Sequence, residues 1–234
     1  QEFITFSADG LDCKPPASTL DSNDVQQEGN AMKLKHPINV HKGLTAPVVL
    51  AMMVVYDNFG VGPWIYLALH GTYGLLWLFK DQVFPDAKWE EECSLGIGGV
   101  TFLALGLYWV APWLLISGGA EPPFALVAGA IALNLMGTVL HYGGDAQKYF
   151  MLQERKGLIT TGFFSRCRNP NYLGEVLIYA SFTLLSMHWI PAVILGAFFA
   201  GVFVPNMYKK DESLARYPEF EAYKQQSGLL LPKI

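Results

Sequence analysis

Charge is scarce in this chain, and a basic excess is missing altogether: 20 Asp and Glu stand against 16 Lys and Arg, a net charge of −4. Such a balance offers no basic surface broad enough to hold nucleic acid. Cysteine is rarer still. Cys13, Cys93 and Cys167 lie far apart with no metal-ligand spacing, which argues against a metal centre and leaves three ordinary thiols. The chain opens at Gln1 without an apolar signal-like run, so room remains for a cleaved targeting segment ahead of it, and residues 1–234 name no organelle.

Lysine and arginine are also absent from long internal stretches, and those stretches are where the apolar residues gather. Apolar types make up 52% of the 234 positions and charged types only 15%. Charges confined to a few segments between nearly uncharged runs are the pattern of a membrane protein rather than of a soluble core. Six runs are candidate transmembrane helices: residues 44–59, 63–79, 95–116, 124–141, 172–187 and 189–204. The expected fold is all-α, a polytopic membrane helix bundle of about six spans with an amphipathic helix at the C-terminal end.

If the six spans alternate in direction, the N-terminal arm, residues 80–94, residues 142–171 and the tail share one side. All sixteen Lys and Arg fall in those four stretches. The opposite connections, 60–62, 117–123 and 187–189, hold neither type. By the positive-inside rule the basic side, with both termini, is cytoplasmic or its organellar equivalent.

Residues 1–32 are polar, with a Pro15-Pro16 pair and no sustained hydrophobic period, and read as an extended arm lying on the membrane domain or on another membrane subunit. Residues 33–234 read as one domain. After the last span, Leu214, Tyr217, Phe220 and Tyr223 recur at three- and four-residue steps, which predicts one amphipathic helix over 208–226 lying on the membrane face. The closing Leu229-Leu230-Leu231-Pro232 calls for an apolar partner, which a tail tucked back on the bundle supplies.

Polar residues next to a span are densest between Asp145 and Glu175: Asp145, Gln147, Lys148, Arg155, Lys156, Arg166, Arg168, Asn169, Asn171 and Glu175. Cations at a membrane mouth suit the phosphates of a nucleotide cofactor, and equally suit lipid headgroups as topology-setting charges. Glu175 stands one turn inside a helix that begins near Asn171 or Tyr172, a depth at which an ionisable group faces a polar cavity. Asn171 and Glu175 are four apart and share a helix face, so amide and carboxylate address one ligand, as an amide-bearing ring such as nicotinamide requires.

A second pair lies within the second span. His70 and Tyr73 are three apart on one face of an apolar helix, close to mid-membrane. Together they have the chemistry to polarise a carbonyl or deliver a proton, and the plainer alternative is an interhelical hydrogen bond from His70 to Asn134 or His141. Asp57 and Glu121 fall on the side away from the cation cluster, about 20 Å from it by helix rise, and read as solvated carboxylates. Trp64, Trp77, Trp109, Trp113 and Trp189 read as interfacial anchors or packing residues.

The run Gly162-Phe163-Phe164-Ser165-Arg166-Cys167-Arg168-Asn169-Pro170-Asn171-Tyr172-Leu173-Gly174-Glu175 resembles the signature of the steroid 5-alpha-reductase and sterol-reductase superfamily, especially its bacterial-type branch. Asp145-x-Gln147-Lys148 upstream and the tail from Asp211-Glu212-Ser213-Leu214 to Leu231-Pro232 resemble the same branch, in the same order, over roughly the C-terminal 95 residues. The resemblance implies NADPH held in a pocket open to the basic side, and hydride transfer to an activated carbon–carbon double bond of a hydrophobic lipid such as a steroid or isoprenoid. Carried over by position, Asn171 and Glu175, with Tyr172 between them, would meet the nicotinamide. Asp145, Lys148, Arg166 and Arg168 would line the pyrophosphate and ribose, with Tyr208, Lys209, Lys210 and Asp211 closing the pocket from the tail. The Gln-Glu pair that steroid reductases carry in an early span is absent from residues 44–59, and His70 or Tyr73 matches their next-span tyrosine only approximately.

Two other functions share parts of this pattern. The isoprenylcysteine carboxyl methyltransferases, which use S-adenosylmethionine, have a similar architecture and an Arg-x-Pro-x-Tyr-x-Gly run, with a Glu-Glu pair where this chain has Asp211-Glu212. A reductase-like domain retained as a non-catalytic subunit of a larger membrane assembly would also account for the polar arm and the missing Gln-Glu pair.

Overall fold

All six apolar runs are helical in the computed structural model, which describes residues 31–234. The expectation of an extended arm falls almost wholly on residues 1–30, outside the described residues. Helix α1 is Lys35–Val55 and α2 is Val61–Val83. Helices α3 (Leu95–Gly106) and α4 (Val110–Gly118) join through a 3₁₀ turn at Leu107–Trp109 into one rod. Helix α5, Phe124–Glu154, is the longest at 31 residues, and α6 is Pro170–Ser186. Helix α7 (Trp189–Phe198) runs through a π turn at Phe199–Phe203 into α8 (Val204–Leu214), and α9 is Phe220–Gln226. The described residues contain one two-stranded antiparallel sheet, β1 (Ala31–Lys33) on β2 (Glu92–Ser94), in the register Ala31↔Ser94.

The protein is therefore an all-α membrane helix bundle. Four of its rods are long and apolar enough to cross a membrane: α1, α3–α4, α5 and α7–α8. The two that miss that measure are α2 and α6, which also carry polar residues. Helix α6 has only 17 residues and includes Asn171 and Glu175; α2 includes His70, Lys80 and Asp81. Both bury long faces against their neighbours, and only a helix screened from lipid by others can hold such groups at that depth.

The ends of these rods show why they stop. Helix α2 opens where Glu121, across the bundle end, accepts a hydrogen bond from the Gly62 amide at 2.7 Å, so this carboxylate acts as a cap rather than being merely solvated. The junction from α6 to α7 turns on Met187 with φ +50°, after which the His188 ring accepts from the Ile190 amide. Pro205 removes a backbone donor in the first turn of α8, immediately after the π turn, so the last rod widens there without breaking. The single helix expected over 208–226 is split. Helix α8 continues the last span to Leu214, and the chain breaks around Pro218 before α9, because proline cannot continue the ladder.

Close packing is set by missing side chains. A Cβ on Gly174 of α6 would strike the His141 amide nitrogen and the Gly137 carbonyl of α5, so these two backbones run in direct contact. Gly74 of α2 gives the Lys42 carbonyl of α1 the same close approach. Around these crossings lies the core, with Val49, Met53, Tyr66, Tyr73, Leu115, Ile178 and Phe182 all almost fully buried. Gly174→Leu should therefore force α5 and α6 apart and cost about 3 kcal/mol, read as a lowered Tm in detergent. Gly99→Ala, where a Cβ meets open space, should leave the Tm unchanged.

Candidate functional site

The α5–α6 crossing brings the polar residues of two motifs to one place. His141 Nδ1 lies 3.1 Å from the Asn171 carbonyl oxygen, which ties one helix to the first turn of the other. One turn further along α5, Asp145 is 6% exposed and its Oδ2 accepts from Lys80 of α2 at 2.5 Å. A carboxylate and an ammonium this deeply buried are tolerable only as a pair.

This neighbourhood contains several buried polar atoms without a hydrogen-bond partner: Asn171 Oδ1, His141 Nε2, Asp145 Oδ1 and the Tyr73 hydroxyl. Buried polar atoms are almost always paired in folded proteins, so a group of four on adjacent helices marks a place built for a ligand or water. Glu175, half-buried on the same face of α6 as Asn171, exerts its charge on Tyr73, Tyr142, Tyr172 and Tyr179.

His70 and Tyr73 do share one buried face of α2, with ring centroids 6.3 Å apart. The partner expected for His70 is different, however. Its Nδ1 meets the Tyr66 hydroxyl at 3.0 Å within the same helix, and its ring stacks on Phe182 at 4.1 Å. Asn134 instead donates to Ser181. The four-residue step from Tyr66 to His70 pairs Nδ1 within the helix, while Nε2 is buried without a hydrogen-bond partner.

The cations at the mouth separate into two groups. Arg168, 5% exposed, is spent inside the protein: its Nε and terminal nitrogen grip Asp211 at 3.0 Å, and its other terminal nitrogen donates to the Ser227 carbonyl at 2.5 Å. Lys210 donates to the Arg168 carbonyl and to Asn169 Oδ1. These contacts, with Asn169 donating to the Leu229 carbonyl and the Gly228 amide to the Arg166 carbonyl, fasten the tail under the start of α6. The tucked-back tail is thus a real feature, and Arg168, Lys210 and Asp211 are its fasteners.

The second group stays open. Arg166 and Tyr208 are exposed, and Tyr172 and Lys209 half-buried. Lys148 pairs with Asp86 at 3.1 Å while 36% of its side chain remains exposed. The loop after α2 also adds Lys88. Burial holds Lys88 below the ordinary lysine value, with Lys209 and Lys148 adding repulsion against the pull of Asp86 and Glu91. Cations held this close together stabilise an anion between them. Beside them, a small cleft of about 100 Å³ is lined by Lys148, Leu158, Ile159, Phe164, Lys210 and Tyr223, among others.

Sequence reasoning missed Lys42, Lys80, Lys88, Tyr142 and Tyr179. Lys42 and Lys80 lie next to the apolar runs and read as flanking charges, whereas α1 and α2 extend past them and carry both inside. Tyr142 and Tyr179 gave no signal, since a tyrosine in an apolar helix is most simply packing. Asp57 and Glu121 lie at the far end, as expected.

A membrane helix bundle with a buried polar centre and a cationic mouth is the class that fold and site define. Residues 99–227 match the family described as a protein of unknown function, DUF1295, and the chain belongs to that family. An uncharacterized protein of Schizosaccharomyces pombe is 30% identical over 107 residues, a match that covers 40% of this chain and 30% of that relative's length.

Two measurements probe the mouth. Arg168→Met or Asp211→Leu alone leaves a buried charge unpaired and should cost about 3–5 kcal/mol, while the double substitution should recover much of the loss, read as Tm in a double-mutant cycle. Burial pushes the Asp86 carboxyl up, but Lys148 and Lys80 outweigh it and hold the carboxyl below its ordinary value. The docking it provides should be fully present above the ordinary carboxylate range and lost as pH falls through the lowered folded-state value, read as faster amide exchange at Lys88 and Trp89.

Proposed function

We propose that the protein is a membrane-embedded, NADPH-dependent reductase of an activated carbon–carbon double bond in a hydrophobic lipid such as a steroid or isoprenoid. The observation that carries this reading is the set of unpartnered polar atoms on Asn171, His141, Asp145 and Tyr73, converging between α2, α5 and α6. Its chemistry fits a nicotinamide: Asn171 Oδ1 and the Glu175 carboxylate are acceptors suited to the two N–H groups of a carboxamide. Arg166 is exposed, and Lys148, which shares Asp86, stands with Lys88 and Lys209 where phosphates would meet them, since the Arg168 cluster is committed to the tail. The resemblance of residues 162–175 to the reductase superfamily supports the same reading, and those residues fall within the family match.

When bound, reduced nicotinamide supplies the hydride. The chain's own groups orient and protonate. In such a reduction the Tyr73 hydroxyl would give the α-carbon of the conjugated double bond its proton. His70, wedged between Tyr66 and Phe182, holds the face of α2 that presents Tyr73. Water is kept from the site by Tyr66, Phe182 and Ile178, all almost fully buried.

The mouth, with the N- and C-terminal ends of the bundle, faces the cytoplasm or its organellar equivalent in this reading, with α2 and α6 completing six crossings. It is supported by the absence of Lys and Arg from residues 56–60, 119–123 and 187–188 at the other end.

Titration of the purified protein in nanodiscs with NADPH should give saturable quenching of tryptophan fluorescence, and Asn171→Leu and Glu175→Gln should each weaken binding about tenfold. Binding of S-adenosylmethionine in place of NADPH would replace the reductase with a methyltransferase, and NADPH binding without turnover would point to a structural subunit. Tyr73→Phe should slow reduction about 100-fold with little change in NADPH affinity.

A further inference from the structure

Lys42 has no place in the mechanism above, yet its ammonium is buried deep in the bundle. It lies two turns inside α1, is 3% exposed, and makes no ion pair among the described residues. An ammonium has three N–H donors, and only one is used here, donating to the Tyr179 hydroxyl at 2.9 Å. The rest of its surroundings are aromatic faces. Its nitrogen sits 4.2 Å from the centroid of the Tyr73 ring, 5.3 Å from Trp77 and 5.5 Å from Tyr179. Cation–π contacts offset part of the desolvation but satisfy no N–H geometry. Gly74, by admitting the Lys42 carbonyl, is what holds this ammonium against the Tyr73 turn of α2.

A buried cation with unused donors, next to an unpartnered phenol, is arranged to receive an oxygen that carries or develops negative charge. The geometry points to Lys42 as the electrophilic residue of the site: its ammonium hydrogen-bonds the carbonyl oxygen conjugated to the double bond that is reduced, a statement that rests on the reductase reading. The electron pair displaced by the hydride goes onto that oxygen, held by Lys42 and Tyr179, until Tyr73 protonates the α-carbon and the carbonyl re-forms. Lys42 thus fills the role for which residues 44–59 offer no side chain, and it does so from the turn just before them. Tyr179, which accepts from Lys42, also faces a narrow apolar gap between the Leu107–Trp109 turn, α6 and α7. Tyr108 stacks on Tyr179 there at 3.8 Å. The α7–α8 rod beside it is the least buried of the four long apolar rods.

The probe is β-ionone, a small isoprenoid dienone whose ultraviolet band moves to longer wavelength when its oxygen accepts a hydrogen bond from a cation. Bound to the wild-type protein in nanodiscs, the band should shift to the red. Lys42→Met should abolish the shift and weaken β-ionone binding about tenfold or more, with NADPH affinity unchanged. Its Tm should stay level or rise, because a sparsely bonded buried charge is removed. An unshifted band on the wild-type protein overturns the proposal whether or not the variant folds. So does a variant that keeps the shift, or one that loses Tm while the shift persists, which would leave the ammonium a purely structural role. NADPH binding without any shift sinks Lys42 and spares the reductase reading. A Lys42-dependent shift without NADPH binding does the reverse.

Discussion

Everything polar inside this bundle depends on the backbone contact between α5 and α6. Glycine at 137 and 174 lets the two helices touch main chain to main chain, and that contact sets the depth of Asn171, His141 and Asp145 relative to one another. In lipid there is no hydrophobic drive to press one apolar helix on another, so close van der Waals fit at small residues has to supply it. Of the polar atoms assembled there, one Asp145 oxygen finds its partner in Lys80 of α2, while the Tyr73 hydroxyl of α2 adds a further unpaired group. Helices that are too short or too polar to qualify as independent spans are held at depth because longer apolar rods enclose them.

The charges of this protein are divided by what they hold. Lys80–Asp145 and Arg168–Asp211 are buried pairs in which each partner neutralises the other, one between helices and one between α6 and the tail. Lys33, Lys35 and Glu90 do a lesser version of this at the surface, where an ion pair contributes little to stability and mainly keeps the loop after α2 beside the start of α1. Lys42, Lys88, Lys148 and Lys209 are different: Lys42 faces aromatic rings, and the other three crowd together beside Asp86 and Glu91. A folded protein retains such unbalanced groups where they serve something that binds.

The division also explains why the motif that resembles the reductase signature mixes two jobs. In Arg166-Cys167-Arg168-Asn169-Pro170-Asn171, the first residue faces solvent, Arg168 and Asn169 fasten the tail, and Asn171 points an unsatisfied oxygen inward. Adjacent residues along an extended approach to a helix face opposite ways, and the linear motif carries no mark of which residue does which. Arg168 therefore reads as a phosphate ligand in the sequence although the tail consumes it in the fold.

By itself, the sequence determined that the chain is a helical membrane bundle, where its rods lie, and that polar residues gather in the 145–175 segment and on the His70–Tyr73 face. Those follow from hydropathy and helical period, which are local properties. Only the tertiary structure decided that His70 bonds Tyr66 through Nδ1 rather than reaching across helices, that the 208–226 segment is two helices, and that Lys42 and Lys80 are interior. A charge at the end of an apolar run looks the same whether it flanks the membrane or enters the bundle. The difference is made by how far neighbouring helices extend and how closely their glycines let them approach.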